Sequence, residues 1–412
     1  MFASLKHKNF ARLCIANIGA TTAYTMQTVA VGWLVIELTD SPFMLGLLSF
    51  FRFVPMLLIA PIGGVLADRF DRVRLVVLAQ SLLATAALAI GLLVMVGWID
   101  IWHLILASLV VGVSFSINIP ARHAMMADLV PRKDVANAVG LNNVIWSSTS
   151  VIGPPIAGFL ISVIGIASAY FAQIVGYVWS IVMLRRITVN RSQRLVQGSM
   201  LTSLRGGFSY VLHHKPVLTL MILTFAFAIF GMPMIMLLPA FVKQDLAGGP
   251  TELGLLMGAL GGGSLLGAIL VVTFSRFPYK GRVALGAVLL YGVLLIGLGF
   301  SRSFSVSGVL LALIGFCEAT YIAASLTIVQ LTVPTEVRGR VVSIWMTSWG
   351  LMAIGLLPMS ALAERLGTPL AMSIGGTLTS IVVIALIGWG RRLWYLQPDS
   401  EHNSHEPIPA AE

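Results

Sequence analysis

Charge is what this chain of 412 residues has least of: Asp, Glu, Lys and Arg make up 10% of it, against 58% apolar residues. A soluble domain carries roughly 25% charged residues, so the deficit excludes a water-soluble protein built on one buried core. Cysteine is nearly absent too. Cys14 and Cys317 lie far apart inside apolar runs, which argues against a disulfide or thiolate metal site and leaves both as packing residues. No Gly-rich phosphate loop ends in Lys-Ser/Thr, so ATP drive from this chain is not expected. His213-His214 and the pair His402 and His405 lack a ligand set around them. No Ser, His and Asp set falls at one depth. An enzyme is therefore not expected, nor a cofactor or a metal.

What is abundant is apolar sequence in runs of about 20 residues or more, each long enough to cross a bilayer core of about 30 Å. Alternating segments of about 10 residues, the mark of a membrane barrel, are missing. The runs predict twelve helices near 10–36, 42–67, 75–98, 101–127, 136–162, 165–184, 216–242, 253–274, 283–301, 306–333, 341–362 and 368–390. The start, MFASLKHKNF, shows no cleavage-site pattern, so the first helix is expected to be its own insertion signal. An even number of spans puts both termini on one side. That side then holds 22 of the 26 Lys and Arg residues. Basic loops stay in the cytoplasm, so both termini are expected there. The same asymmetry accounts for the formal charge of +10 without a nucleic-acid partner, for which no soluble basic face exists.

The chain also repeats itself. SPFMLGLL (41–48) matches GPTELGLL (249–256), DRF (68–70) matches SRF (275–277), and Gly112 and Gly315 each open a polar patch leading to Leu-Val-Pro or Thr-Val-Pro. The offsets are nearly equal. The expected architecture is all-α: a six-helix bundle over 1–187, a basic cytoplasmic linker over 188–215, a second six-helix bundle over 216–392, and a polar, disordered tail over 393–412. Two such repeats put a ligand site near the midplane between the halves.

Almost all of the 16 acids fall in loops, at helix ends or in the tail; Glu318 does not. It stands near the centre of the run 306–333, where a charge costs roughly 2.5–3.5 kcal/mol on insertion scales. A carboxylate that gains and loses a proton there would suit a proton-driven transporter. The alternatives are a fixed structural partner or an acid that stays protonated throughout. Arg52 and Arg122 are candidate counter-charges, and either could instead snorkel to an interface. At similar depth lie Tyr24, Gln27, Asn118, Asn142, Trp146 and Tyr321. Aromatics with a few polar groups suit an amphiphilic organic ligand, although interhelical hydrogen bonding recruits the same residue types. Gly254, Gly258 and Gly262, continued by Gly263 and Gly267, form a small-residue stripe for close helix packing.

Gly64-Val-Leu-Ala-Asp68-Arg69-Phe70-Asp71-Arg72-Val73-Arg74 resembles the loop motif between helices two and three of the major facilitator superfamily. Gly64, Asp68, Arg69 and Arg72 match it; Asp71 stands where the family has Gly, and Val73 replaces a basic residue. Gly153-Pro154-Pro155-Ile156-Ala157-Gly158 resembles the helix-five motif of facilitator exporters, with Gly153, Pro154 and Gly158 matching. NFARLCIAN (9–17), PARHAMMADLVP (120–131) and VPTEVRGRVVSI (333–344) are similar to the branch containing enterobactin exporters and macrolide-efflux proteins. The resemblance implies two pseudo-symmetric six-helix bundles and a monomer in the bacterial inner membrane, among lipids. It implies export of small amphiphilic molecules against protons by alternating access. It also implies a cytoplasmic latch in which Asp68 docks on the start of helix eleven, near 338–342. A symporter or lipid-moving facilitator of the same fold, and a non-transporting scaffold or receptor, are the alternatives.

Overall fold

The computed structural model describes residues 3–188, 208–273 and 279–389, and among these the side chains at 3, 60–69, 132, 136, 272–273, 335–336 and 389 are outside the description. Twelve long helices follow one another: α1 Lys8–Thr39, α2 Pro42–Arg69, α3 Arg72–Val96, α4 Ile101–Leu129, α5 Val135–Ile164 and α6 Ile166–Leu184, then α7 Lys215–Asp245, α8 Pro250–Thr273, α9 Lys280–Phe300, α10 Phe304–Thr332, α11 Thr335–Leu366 and α12 Thr368–Trp389. No strand occurs among the described residues. The expected linker 188–215 falls largely outside the described residues, and the expected tail wholly so.

Eleven of the twelve, α2 to α12, are apolar and long enough to cross a membrane. The exception is α1, whose 32 residues make it as long as any. Asn17, Thr21, Thr22, Thr25, Gln27 and Thr28 dilute its hydropathy. Four of these, Asn17, Thr21, Thr25 and Gln27, are buried. Thr25 donates from Oγ1 to the Thr149 carbonyl of α5 at 3.1 Å. The first helix is polar because its neighbours are protein. Lipid is met instead by helices such as α3 and α6, where Leu88, Leu92, Met95, Val175 and Val178 stand exposed.

The expected single helix at 216–242 is interrupted. Within α7, wide π turns occupy Phe227–Gly231 and Phe241–Asp245. Pro233 and Pro239 lie between them and lack the N–H that a regular ladder needs. Tyr291 of α9 takes up one carbonyl left by the first wide turn, donating to Gly231 at 3.2 Å.

Packing repeats with the sequence. In the first half α1 packs on α5 and α6, α2 on α4, and α3 on α4 and α6. In the second, α7 packs on α11, α8 on α10, and α9 on α10 and α12. The equivalent contacts run through equivalent glycines. A Cβ at Gly112 of α4 would overlap the Arg52 carbonyl of α2; one at Gly315 of α10 would overlap the Leu260 carbonyl of α8. Gly153 of α5 closes on Thr25 of α1, as Gly355 of α11 closes on Ile229 of α7.

Two seams join the halves, α5 on α8 and α2 on α11. At the first, Gly254 lies against Pro154 and Gly158, Gly258 against Pro155, and Gly261 against Ser150. At the second, Gly46 lies against Ser360 and Gly350 against Leu57. The glycine stripe of α8 therefore splits in two. Gly254, Gly258 and Gly261 face α5, Gly263 and Gly267 face α10 at Ala312 and Phe316, and Gly262, expected to belong to the stripe, has nothing within 4 Å of an added Cβ.

This split gives a paired test. Gly263→Val would drive a side chain into the Ala312 backbone and should destabilise by about 1–3 kcal/mol, the usual cost of overpacking. Gly262→Ala meets open space and should be neutral or stabilising by up to about 1 kcal/mol, the helix preference of Ala over Gly. Thermal unfolding of the detergent-solubilised protein checks both, and equal losses would place the stripe elsewhere.

Candidate functional site

The polar residues at mid-depth do not form one cluster; the structure divides them. On the first half, the Tyr24 ring of α1 packs at a tilt on Phe115 of α4, with ring centroids 4.3 Å apart, and on Trp146 of α5 at 5.4 Å. The guanidinium carbon of Arg52 lies 4.5 Å from the centre of the Tyr24 ring. Tyr24 is the midpoint of α1, so Arg52 reaches inward to mid-depth and does not snorkel. Among the described residues it has no ion pair or hydrogen bond. Gln27, one turn on from Tyr24, is 7% exposed, and its Oε1 has no hydrogen-bond partner. Trp146 is 42% exposed.

Asn142 accepts a hydrogen bond from Asn17 at 2.9 Å, so it serves to tie α5 to α1. Asn118 is buried in α4. Arg122, half-buried nearer the C-terminal end of α4, has an Nε without a hydrogen-bond partner among the described residues. Neither arginine ion-pairs with Glu318 among the described residues.

On the second half, Glu318 is half-buried on α10. Among the described residues its carboxylate has neither a hydrogen bond nor an ion pair. The titratable neighbour within electrostatic reach is the buried phenol of Tyr291. Tyr321, expected beside Glu318 in the cavity, lies instead in the core at 2% exposure. Its hydroxyl donates to Thr224 Oγ1 at 2.6 Å, and its ring packs edge-on against Phe227 at 5.0 Å. One turn along α10 is enough to pass from the open face to the packed one.

Between the halves a cavity is lined by Gln27, Ser49, Arg52 and Ser108 from the first half and by Met236, Pro239 and Met257 from the second. The repeat signal alone could not find these three apolar residues, because they carry no polar label.

Beyond this cavity, at the Thr39 end of α1 and the Asp245 end of α7, polar contacts cross between the halves. Lys243 donates to the Ile36 carbonyl at 2.9 Å and pairs with Asp40 at 3.2 Å. Gln244 donates to the Asp40 carbonyl at 2.8 Å. Glu364 of α11 accepts from Ser41 Oγ at 2.8 Å and from the Phe43 amide at 3.0 Å, so a carboxylate sits at the start of α2. Gly32 lies against the Pro239 ring, where a Cβ would come within 2.6 Å of Cγ.

At the opposite end, the expected latch residues Gly64, Asp68 and Arg69 have side chains outside the described residues. Arg72 ion-pairs with Asp128 and donates to the Ala124 carbonyl at 3.2 Å. Asp71 explains the departure from the family motif. It caps α3, accepting from the Arg74 amide at 2.8 Å with φ −64°, so no left-handed turn requires Gly there. Of the helix-five motif, Gly153 faces α1, while Pro154 and Gly158 meet α8.

The fold is that of solved membrane transporters. The crystal structure of a POT family transporter with a thioalcohol-conjugated peptide superposes with a TM-score of 0.76 at 12% identity, covering 94% of this chain and 96% of that one. Macrolide efflux protein A of Streptococcus pyogenes is 22% identical over 376 residues, 90% of this chain and 92% of the other. The Staphyloferrin A transporter of Staphylococcus aureus is 23% identical over 376 residues, covering 91% and 94%. The family model described as transmembrane secretion effector matches residues 1–410. The chain belongs to that family, within the major facilitator superfamily: it is a multi-pass membrane transporter and not an enzyme.

The contact at Asp40 yields a pH test. Lys243, hydrogen-bonded and charged, and the amide of Gln244 hold the Asp40 carboxyl below the usual carboxylate range. A depressed carboxylate supports its contact above its unperturbed value, about 4, and loses that support as pH falls through the lowered one. The Asp40 ends of the two halves should therefore stay together at about pH 5 and loosen below about pH 4. Asp40→Asn should loosen them at neutral pH, and only slightly, because the pair is exposed to solvent. Distances between spin labels at the Thr39 end of α1 and the Asp245 end of α7 check this; an unchanged distribution in Asp40→Asn would remove the pair from the contact that holds these ends together.

Proposed function

We propose that this protein exports small amphiphilic organic molecules of the drug, macrolide or siderophore kind across the bacterial inner membrane, in exchange for protons. Both termini face the cytoplasm, and a single chain suffices. The half over 1–187 and the half over 216–392 rock about the glycine-lined seams, exposing a central cavity to each side in turn. Protons enter through Glu318.

The observation that carries this reading is the Glu318 carboxylate, at mid-helix and half-buried, with no fixed partner among the described residues. A structural acid at that depth would be expected to hold a hydrogen bond in the resting structure. Glu318 is left to take up and release a proton, losing it toward the cytoplasmic substrate and regaining it from outside. Support for export comes from the efflux and siderophore-transport names of relatives that span nearly the whole chain. Further support comes from the helix-five motif, whose Pro154 and Gly158 form the α5–α8 seam.

Everted vesicles with and without a proton gradient separate exchange from symport. Glu318→Gln should lower gradient-driven accumulation of the compounds to which a deletion strain becomes sensitive by at least about tenfold, about 1.4 kcal/mol. The unfolding temperature should be unchanged, since no partner is lost. A variant that restores efflux of every such compound, with the wild-type pH dependence, would rule Glu318 out as the coupling group.

A further inference from the structure

We propose that the cavity around Arg52 is an anion subsite, and that the exported molecule carries a carboxylate which Arg52 binds. This rests on the export reading above and deepens it by naming the charge of the substrate.

Arg52 stands ten residues inside α2, and its guanidinium carbon is 4.5 Å from the centre of a ring at the midpoint of α1. An arginine has five N–H donors in one plane. The Tyr24 ring occupies one face of that plane and satisfies none of them. No carboxylate lines the cavity; its other polar side chains are Gln27, Thr28, Ser49 and Ser108. The Gln27 carboxamide is itself buried with an unpartnered oxygen. The Tyr177 hydroxyl, also buried without a partner, lies within electrostatic reach of Arg52. Among the described residues the site thus holds one positive charge without an ion pair and with its N–H donors unfilled, near the free Tyr177 hydroxyl donor, whereas the Gln27 oxygen can only accept; the arginine's fork suits a planar, bidentate organic anion.

Packing does not require the cation. By the internal repeat Arg52 corresponds to Leu260, since the carbonyls of these two residues meet Gly112 and Gly315 in the same way. The same contact serves α8 with an aliphatic residue. Backbone approach at Gly112 also leaves the helix little room to turn the guanidinium elsewhere. The facing wall, Met236, Pro239 and Met257, is apolar and belongs to the second half. An anion held by Arg52 would therefore lay its hydrocarbon part across both halves. This is the geometry for an amphiphilic carboxylate, and less so for a bare inorganic ion.

The full-length protein in nanodiscs, without a proton gradient, tests this with matched probes: naphthylacetate against naphthylacetamide, pyrenebutyrate against pyrenebutyramide, and chloride alone. At least one acid should bind at least about tenfold more tightly than its amide, because a site with unfilled donors rejects the analogue that leaves them empty. Arg52→Gln should abolish that preference, Arg52→Lys should weaken it, and both should unfold at the wild-type temperature. Equal binding of acid and amide, no binding of either acid, or an acid preference that survives Arg52→Gln would each overturn the proposal. Chloride competing as well as the acids would overturn it too, assigning the subsite to a free ion. Glu318→Gln should keep the acid preference. If it does while gradient-driven flux is never seen, the coupling reading alone has failed; if flux is proton-driven while Arg52→Gln still prefers the acid, the subsite alone has failed.

Discussion

Two helices approach backbone to backbone only where neither interposes a side chain, and this structure depends on where that happens. Lipid offers no hydrophobic drive for helices to associate, so association relies on close packing and on polar groups at depth. Gly254, Gly258 and Gly261 let α8 lie on α5, and Gly46 and Gly350 let α2 lie on α11. These two crossings are the major joins between the halves. The cavity lies between them, walled by α1, α2 and α4 on one side and by α7 and α8 on the other.

The repeat is faithful in packing and broken in charge. Gly112 and Gly315 do the same work at equivalent crossings, as do Gly153 and Gly355. Arg52, however, answers to Leu260, and by the offset of Gly112 and Gly315 Glu318 answers to Phe115. Phe115 packs on Tyr24; its counterpart is a carboxylate with no fixed partner among the described residues. Among the described residues Arg52 and Glu318 are thus each a charge without an ion pair at a place where the other half carries an apolar residue. Such charges at depth cost roughly 2.5–3.5 kcal/mol each on insertion scales, and the backbone contact at Gly112 is made at Gly315 with an aliphatic residue in the place of Arg52.

The architecture was legible because its signals are long or repeated: apolar runs, the loop charge bias, and matched segments at one offset. Chemistry at single residues was less so. Glu318 and Arg52 could be singled out because a charge in an apolar run is rare. Tyr321 could not be placed, since helical spacing from Glu318 does not say which side of α10 faces a cavity and which faces Phe227 and Thr224. Asn142 looked like a ligand-binding amide and proved to be a tie to Asn17; both roles call for the same residue type at the same depth. Gly262 fitted a one-dimensional stripe, but a helix turns 100° per residue, so Gly261 and Gly263 took different neighbours. The π turns of α7 left only prolines as a trace. The closing contacts of Asp40, Lys243 and Glu364 lie far apart in sequence and become visible only once the helices are assembled.

A transporter that alternates needs contacts of two strengths. Those holding one state shut must be exchangeable, and the contacts at the Asp40 end qualify: an exposed Lys243–Asp40 pair, one hydrogen bond from Gln244 and two to Glu364, each a small term in water. Those carrying motion inward must be stiff. Helix α8 contributes Met257 to the Arg52 cavity and, through Gly263 and Gly267, lies directly on α10 beside Glu318. On the coupling proposed above, a ligand filling that cavity would press on α8, and close packing would leave α8 no slack to absorb the displacement before α10 followed. Neutralising one half-buried charge would in this way change the surroundings of the other without the two touching, because the path between them would run through the backbone contacts at Gly263 and Gly267.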